Sequence, residues 1–212
     1  LLVQMQQVCT ERIGIDCCAF NRRFDAAKLM WEFDFMLTHY VEGMKKDKLA
    51  LDDRNQIRSG FQSICASLAA EKPCFTHRDY HSRNLMIKDG ALKIIDFQDA
   101  RMGPDTYDLV SLLRDCYVDL APELVTEMTD RFLAAIQRAR RDRFHQRFDL
   151  MSVQRHLKAL GTFGHQIAVA ERPVFVSALP RTFRYLRGTL HSHDRFARLL
   201  ELLTPHLPEL RM

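Results

Sequence analysis

The chain has 212 residues, is 47% hydrophobic and carries a formal net charge of +4. That length suits one core of ordinary size. So mild a basic excess argues against a nucleic-acid-binding class, which gathers Lys and Arg on one face among aromatics. No apolar run approaches the ~20 residues of a membrane span, and the opening residues 1–12 lack the basic leader and cleavage-like end of a signal peptide.

Amphipathic periodicity appears first at Leu29, Phe33, Met36, Leu37 and Tyr40, which predicts a helix over about 24–42. A second stripe, Ile57, Phe61, Ile64, Cys65 and Leu68, predicts another helix that Pro73 terminates. The period then changes. Cys74–His77 reads as a short strand, and the runs 85–87 and 92–95 read as two more, joined by the hairpin signal Asp89-Gly90. Helical spacing resumes over about 105–117, 122–142, 149–170 and 193–203, with residues 171–182 read as a loop because of Pro173 and Pro180. The arginines at 138, 140, 141, 143 and 147 fall at the expected C-terminal end of the fourth of these six helices, where positive charge suits the macrodipole. The six cysteines contain no C-x-x-C pair, so a reducing, cytoplasmic setting is expected in place of a disulfide framework or zinc site.

The polar residues crowd around the hairpin. Before it stands His77-Arg78-Asp79-Tyr80-His81-Ser82-Arg83-Asn84, an H-x-D-x-x-x-x-N run, and after it Ile95-Asp96-Phe97-Gln98-Asp99. A hairpin returns to its start, so Asn84 and Asp96 are expected side by side, with Asp79 on the preceding loop. Carboxylates gathered at about 4 Å repel by roughly 4 kcal/mol at an effective dielectric of 20. A cation or a proton relieves that cost, and Asp and Asn oxygens are hard donors suited to Mg²⁺. Phosphoryl transfer needs such donors, plus a carboxylate that holds the attacking hydroxyl. Asp and Asn are also common turn residues, but the fixed spacing on both sides of one hairpin favours the kinase reading.

HRDYHSRN followed by IDFQDA resembles the catalytic and metal-binding loops of the protein-kinase-like superfamily, in its aminoglycoside phosphotransferase and choline kinase branch. GPDTYDLVSLLRDCY (103–117) is similar to that branch's segment after the metal Asp. LKALGTF and LPRTFRYL resemble bacterial members that phosphorylate the anomeric hydroxyl of N-acetylmuramate and N-acetylglucosamine in cell-wall recycling. The resemblance implies a mainly α fold with a small β-hairpin region, the C-terminal lobe of a kinase-like α+β fold. It implies ATP and Mg²⁺ as cofactors and a small hydroxyl-bearing molecule as partner. Asp79 is then the catalytic carboxylate, and Asn84 and Asp96 the metal ligands. His81, Arg83 and Asp99 are candidates for phosphate or substrate contacts. His77 and Asp108 are candidates for bracing the catalytic loop, Asp108 standing equally as an ordinary first-turn acid. On this reading residues 77–84 are the catalytic loop, 95–99 the metal loop and about 105–212 a helical acceptor-binding region.

Ala121-Pro122-Glu123 spells the A-P-E of protein kinases, but the metal motif is Asp-Phe-Gln, and Pro122 suits the first position of a helix. No Gly-rich loop or strand-borne Lys precedes His77, and Lys45, Lys46 and Lys48 follow a helix. A nucleotide-covering lobe is therefore expected upstream of Leu1, and this stretch alone is expected to be inactive. An aminoglycoside or choline kinase and a non-catalytic kinase-like module are the competing readings. Arg181, Arg184 and Arg187 favour a neutral or anionic sugar over a polycation, unless they line a solvent face.

Overall fold

The computed structural model of the chain describes residues 1–12, 16–137, 141 and 143–212. It opens with helices α1 (Leu2–Glu11), α2 (Cys18–Asn21), α3 (Ala26–Met36) and α4 (Leu51–Ala69). Four short strands follow: β1 (Cys74–Thr76), β2 (Leu85–Lys88), β3 (Ala91–Ile94) and β4 (Arg101–Gly103). The remainder is helical again, with α5 (Thr106–Leu113), α6 (Pro122–Ala135), α7 (Phe144–Ala168), α8 (Leu179–His191) and α9 (Ala197–Leu203). The fold is mainly α with a small β region, as the sequence implies.

The β region is larger than the hairpin and lone strand read from the sequence. β2 and β3 form the expected antiparallel pair, and β1 pairs antiparallel with β4. Asp89 and Gly90 both take positive φ, 53° and 72°, as a two-residue turn that follows strand twist requires.

The chain divides into two compact units, Leu1–Phe24 with Ala70–Met151 and Asp25–Ala69 with Ser152–Met212. The first unit holds all four strands. Its core includes Phe24, Met102, Tyr107, Val110, Leu113, Phe132 and Phe144. Phe24 stacks on Tyr107 at 4.6 Å between ring centroids. It also fills the space over Gly103, where an added Cβ would lie 2.6 Å from the Phe24 ring. Each such fully buried side chain contributes about 1.5–3 kcal/mol.

Two corrections fall in this unit. The helix expected to run to 142 stops at Ala135, and the next begins at Phe144, not 149. The arginine cluster is therefore not one helix end: Arg138 and Arg140 lie outside the described residues, and Arg147 sits in the first turn of α7. Its Nη1 bonds Glu71 Oε2 at 2.9 Å and Asp105 Oδ1 at 2.6 Å. Burial disfavours that charge, and the two carboxylates more than offset it, holding the guanidinium pKa above its usual value.

In the second unit, Asp25 caps α3 by accepting the Lys28 N–H at 2.7 Å. Past Met36 the helix widens into π turns over Leu37–Met44, marked by Lys45 N–H donating to Tyr40 O at 2.9 Å. Phe33 stacks on Phe61 of α4 at 4.0 Å. Gly161 and Gly164 of α7 let backbones approach, since a Cβ on Gly164 would meet His39 O at 2.5 Å. The loop expected over 171–182 is a 3₁₀ turn, Pro173–Ala178, running into α8. Pro180 falls in the first turn of α8, where its missing N–H costs nothing, so it starts the helix it was read as breaking.

Candidate active site

Strand pairing assembles the site, which lies wholly within the first unit. Thr76 pairs with Arg101, so the loop leaving β1 and the loop entering β4 run side by side. Leu85 pairs with Ile94, which sets Asn84 opposite the start of the segment holding Asp96. The Ile95 N–H donates to Asn84 O at 3.1 Å and closes the hairpin.

Asn84 joins the two loops. Its Nδ2 donates to the Asp79 carbonyl at 2.9 Å and to Asp96 Oδ2 at 3.1 Å. Both amide protons are thereby used, which leaves Oδ1 as a donor atom for a cation. Asp96 is exposed and takes φ 68°, a left-handed conformation that Asp tolerates better than most residues. Gln98 Nε2 donates to its other oxygen at 2.6 Å. The structure sets Asn84 beside Asp96, as hairpin closure predicts, and beside the backbone carbonyl of Asp79.

Asp108 is fully buried in the first turn of α5, and its carboxylate accepts the N–H groups of His77 at 2.7 Å and Arg78 at 2.9 Å. Arg78 has φ 81°, which costs a residue with a Cβ roughly 1–2 kcal/mol. Two charge-assisted bonds to Asp108 offset that cost. His77 is buried under the loop, 5.9 Å from the Tyr80 ring. Burial lowers its pKa below 6.5, while Asp79, the Ile95 carbonyl and Asp96 pull the other way. Burial and the nearby Asp108 raise that of Tyr80.

The remaining candidates are engaged within the loop region. Asp99 Oδ2 pairs with Arg78 Nη1 at 2.8 Å, with Arg22 and Arg101 each 4.0 Å away. The His81 ring meets Tyr117 edge-on at 5.2 Å, and the Arg83 guanidinium lies 3.8 Å over the same ring. Pro122 occupies the first turn of α6, so Ala121-Pro122-Glu123 is a helix start.

The model of the phosphotransferase enzyme family matches residues 9–151, a span that includes every residue of the candidate site. The chain belongs to that family. The chain is also similar to proteins named N-acetylmuramate/N-acetylglucosamine kinase. That of Pseudomonas aeruginosa is 34% identical over 199 residues, covering 89% of this chain and 58% of its own length. That of Neisseria meningitidis is 30% identical over 186 residues, covering 85% and 56%. That of Pseudomonas putida is 33% identical over 148 residues, covering 67% and 44%. The chain thus spans about half the length of the curated relatives it matches.

The donor set at this site suits Mg²⁺. Asn84 Oδ1 and the Asp96 carboxylate are hard oxygens. Among the described residues, no three His, Cys, Asp or Glu side chains gather into a protein-only cage. Mg²⁺ characteristically takes one or two protein donors and completes its octahedron with water and phosphate oxygens.

Sequence reasoning missed Asp115 and Tyr117. Asp115 is 2% exposed and accepts the N–H groups of Ser82 at 2.8 Å and Tyr117 at 2.7 Å. An Asp that binds a backbone N–H 33 positions away leaves no spacing signal. Among the described residues no helix is long and apolar enough to cross a membrane.

Proposed function

We propose that the protein transfers the γ-phosphoryl group of ATP to a hydroxyl of an amino sugar of the N-acetylmuramate or N-acetylglucosamine type. The observation that carries this reading is the Asn84 side chain, which bonds both the Asp79 carbonyl and the Asp96 carboxylate. It supports a reading in which the loop that carries Asp79 lies against the oxygen donors of Asn84 and Asp96. The names of the similar proteins supply the acceptor class.

In this reading Asn84 and Asp96 hold Mg²⁺, which neutralises charge on the transferring phosphate. Asp79 receives the acceptor hydroxyl and takes its proton late. An ordinary Asp, with a pKa near 3.9, is too weak a base to deprotonate an alcohol early. Asp108 and His77 hold the loop that carries Asp79. His81 and Arg83 offer polar contacts to the phosphate or acceptor, and Asp99 fixes Arg78.

The phosphate-covering loop and its Lys belong, on this reading, to sequence outside this chain, because nothing before His77 supplies them. Residues 1–212 are then the acceptor-binding lobe and are inactive alone, and the protein works in the cytoplasm.

The test is phosphate transfer by the full-length protein to a panel of amino sugars, aminoglycosides and choline. N-Acetylmuramate or N-acetylglucosamine should be phosphorylated, and Asp79→Ala should lower kcat by about 10²–10⁴-fold. Turnover of aminoglycosides or choline but not the amino sugars would contradict the acceptor. An Asp79→Ala protein of near-parental rate would contradict the role of Asp79. Turnover by residues 1–212 alone would contradict the division of parts.

A further inference from the structure

The loop from His77 to Asn84 is held at two places, and Asp108 accounts for only one of them. The second is the turn that follows α5. Asp115 Oδ2 accepts the Ser82 N–H at 2.8 Å and Asp115 Oδ1 accepts the Tyr117 N–H at 2.7 Å. The carboxylate is 2% exposed, so both bonds are sheltered from water. The Tyr117 ring, fixed by that same turn, receives the Arg83 guanidinium at 3.8 Å and the His81 ring edge at 5.2 Å. Three consecutive residues, His81, Ser82 and Arg83, are thus each held by the 115–117 turn. They lie between Asp79 and Asn84.

We infer that Asp115 and Tyr117 form a clamp that positions the tip of the catalytic loop, fixing the separation of Asp79 from Asn84 and the aim of His81 and Arg83. The inference rests on the proposed phosphoryl transfer. Neither residue is required to touch the acceptor or phosphate. Both act through the loop, so they are positioning residues. A carboxylate suits this task because its two oxygens each take one N–H. Asn would turn an amide donor toward one of them. The ring suits Arg83 because a guanidinium over an aromatic face is attracted by its quadrupole.

The backbone offers a specific test. His81 is extended at φ −134° and ψ 170°, as a residue before proline prefers. Ser82 opens the 3₁₀ turn that follows, whose backbone suits the fixed φ of proline. Ser82→Pro therefore replaces the N–H that Asp115 accepts with a ring carbon that pushes the carboxylate away, and Ser82→Ala deletes only the hydroxyl. Likewise Tyr117→Leu removes the ring and Tyr117→Phe keeps it. Steady-state kinetics of the full-length protein should show kcat of Ser82→Pro at least about tenfold below that of Ser82→Ala, because misplacement near an ångström costs up to about a hundredfold. Tyr117→Leu should fall about tenfold below Tyr117→Phe. The KM for ATP should be the same within each pair. Amide exchange at Ser82 should also accelerate in Asp115→Ala.

Equal kcat within each pair overturns the clamp. So does a loss carried by the KM for ATP with kcat unchanged, since that assigns the loop tip to nucleotide binding. A parent protein inactive toward every acceptor would contradict the proposed function instead. Ser82 exchange would still decide the clamp in that case, with unchanged protection in Asp115→Ala refuting it.

Discussion

Asp108→Ala is expected to be among the most damaging single changes at the loop, and its cost follows from two bonds. The carboxylate is fully buried and accepts His77 N–H at 2.7 Å and Arg78 N–H at 2.9 Å. Alanine leaves both N–H groups buried without a partner. Each orphaned donor costs about 1–3 kcal/mol, so the expected loss is about 2–6 kcal/mol. Asp108→Asn keeps one acceptor oxygen and should lose about half as much. Arg78, held at φ 81°, then has less reason to stay left-handed, and the loop carrying Asp79 relaxes. Urea unfolding of the full-length protein measures the first effect and kcat the second. The expected order for both is Asp, then Asn, then Ala. An alanine variant less than about 1 kcal/mol destabilised, with parental kcat, would refute the bracing role.

Asn84→Asp replaces the amide that bonds Asp96 at 3.1 Å with a second carboxylate. The repulsion is about 5 kcal/mol at an effective dielectric of 20 and about 1 in water, and exposed Asp96 lies toward the lower figure. Destabilisation should therefore be read in EDTA, and added Mg²⁺ should restore much of it; no recovery would argue against cation binding there. His77 has a folded pKa below 6.5, so the unfolded chain binds a proton that the folded site refuses. Its contribution is whole above 6.5 and is lost as pH falls from there toward the folded pKa. His39, lowered by burial and His165, acts with the same sign. Unfolding free energy should thus fall with acidification, less steeply in His77→Gln; parallel curves would show that His77 is not titrating in this way. Gly164→Ala drives a Cβ to 2.5 Å from His39 O and should cost about 1–3 kcal/mol. Gly188→Ala meets nothing within 4 Å on α8 and should stabilise by up to about 1 kcal/mol, as thermal unfolding of both variants would show.

The hairpin was legible because its signals are local. Asp89-Gly90 sets the turn, and β2 and β3 flank it directly. The His77-to-Asn84 run and Asp96 were legible for the same reason, since hairpin closure converts sequence spacing into proximity. What escaped depends on distant partners. β4 is three residues long, and only pairing with β1, more than twenty residues upstream, makes it a strand. Asp115 finds a backbone N–H, which no residue type advertises. Pro180 was misread because the same missing N–H that breaks a helix interior is harmless in a first turn. α1 was read only for a leader, and its half-polar sequence carries a weak apolar stripe. Asp108 could be read either as a helix-dipole acid or as a brace, and its place in the first turn of α5 with bonds to the 77 and 78 N–H groups suits both readings.

Binding of Mn²⁺, followed by electron paramagnetic resonance in the presence of a non-hydrolysable ATP analogue, tests the metal role of the loop pair most directly. The full-length parent should bind it saturably, and Asp96→Asn should bind at least about tenfold more weakly. Equal affinity in the two proteins would contradict the assignment of Asn84 and Asp96 as the cation's ligands.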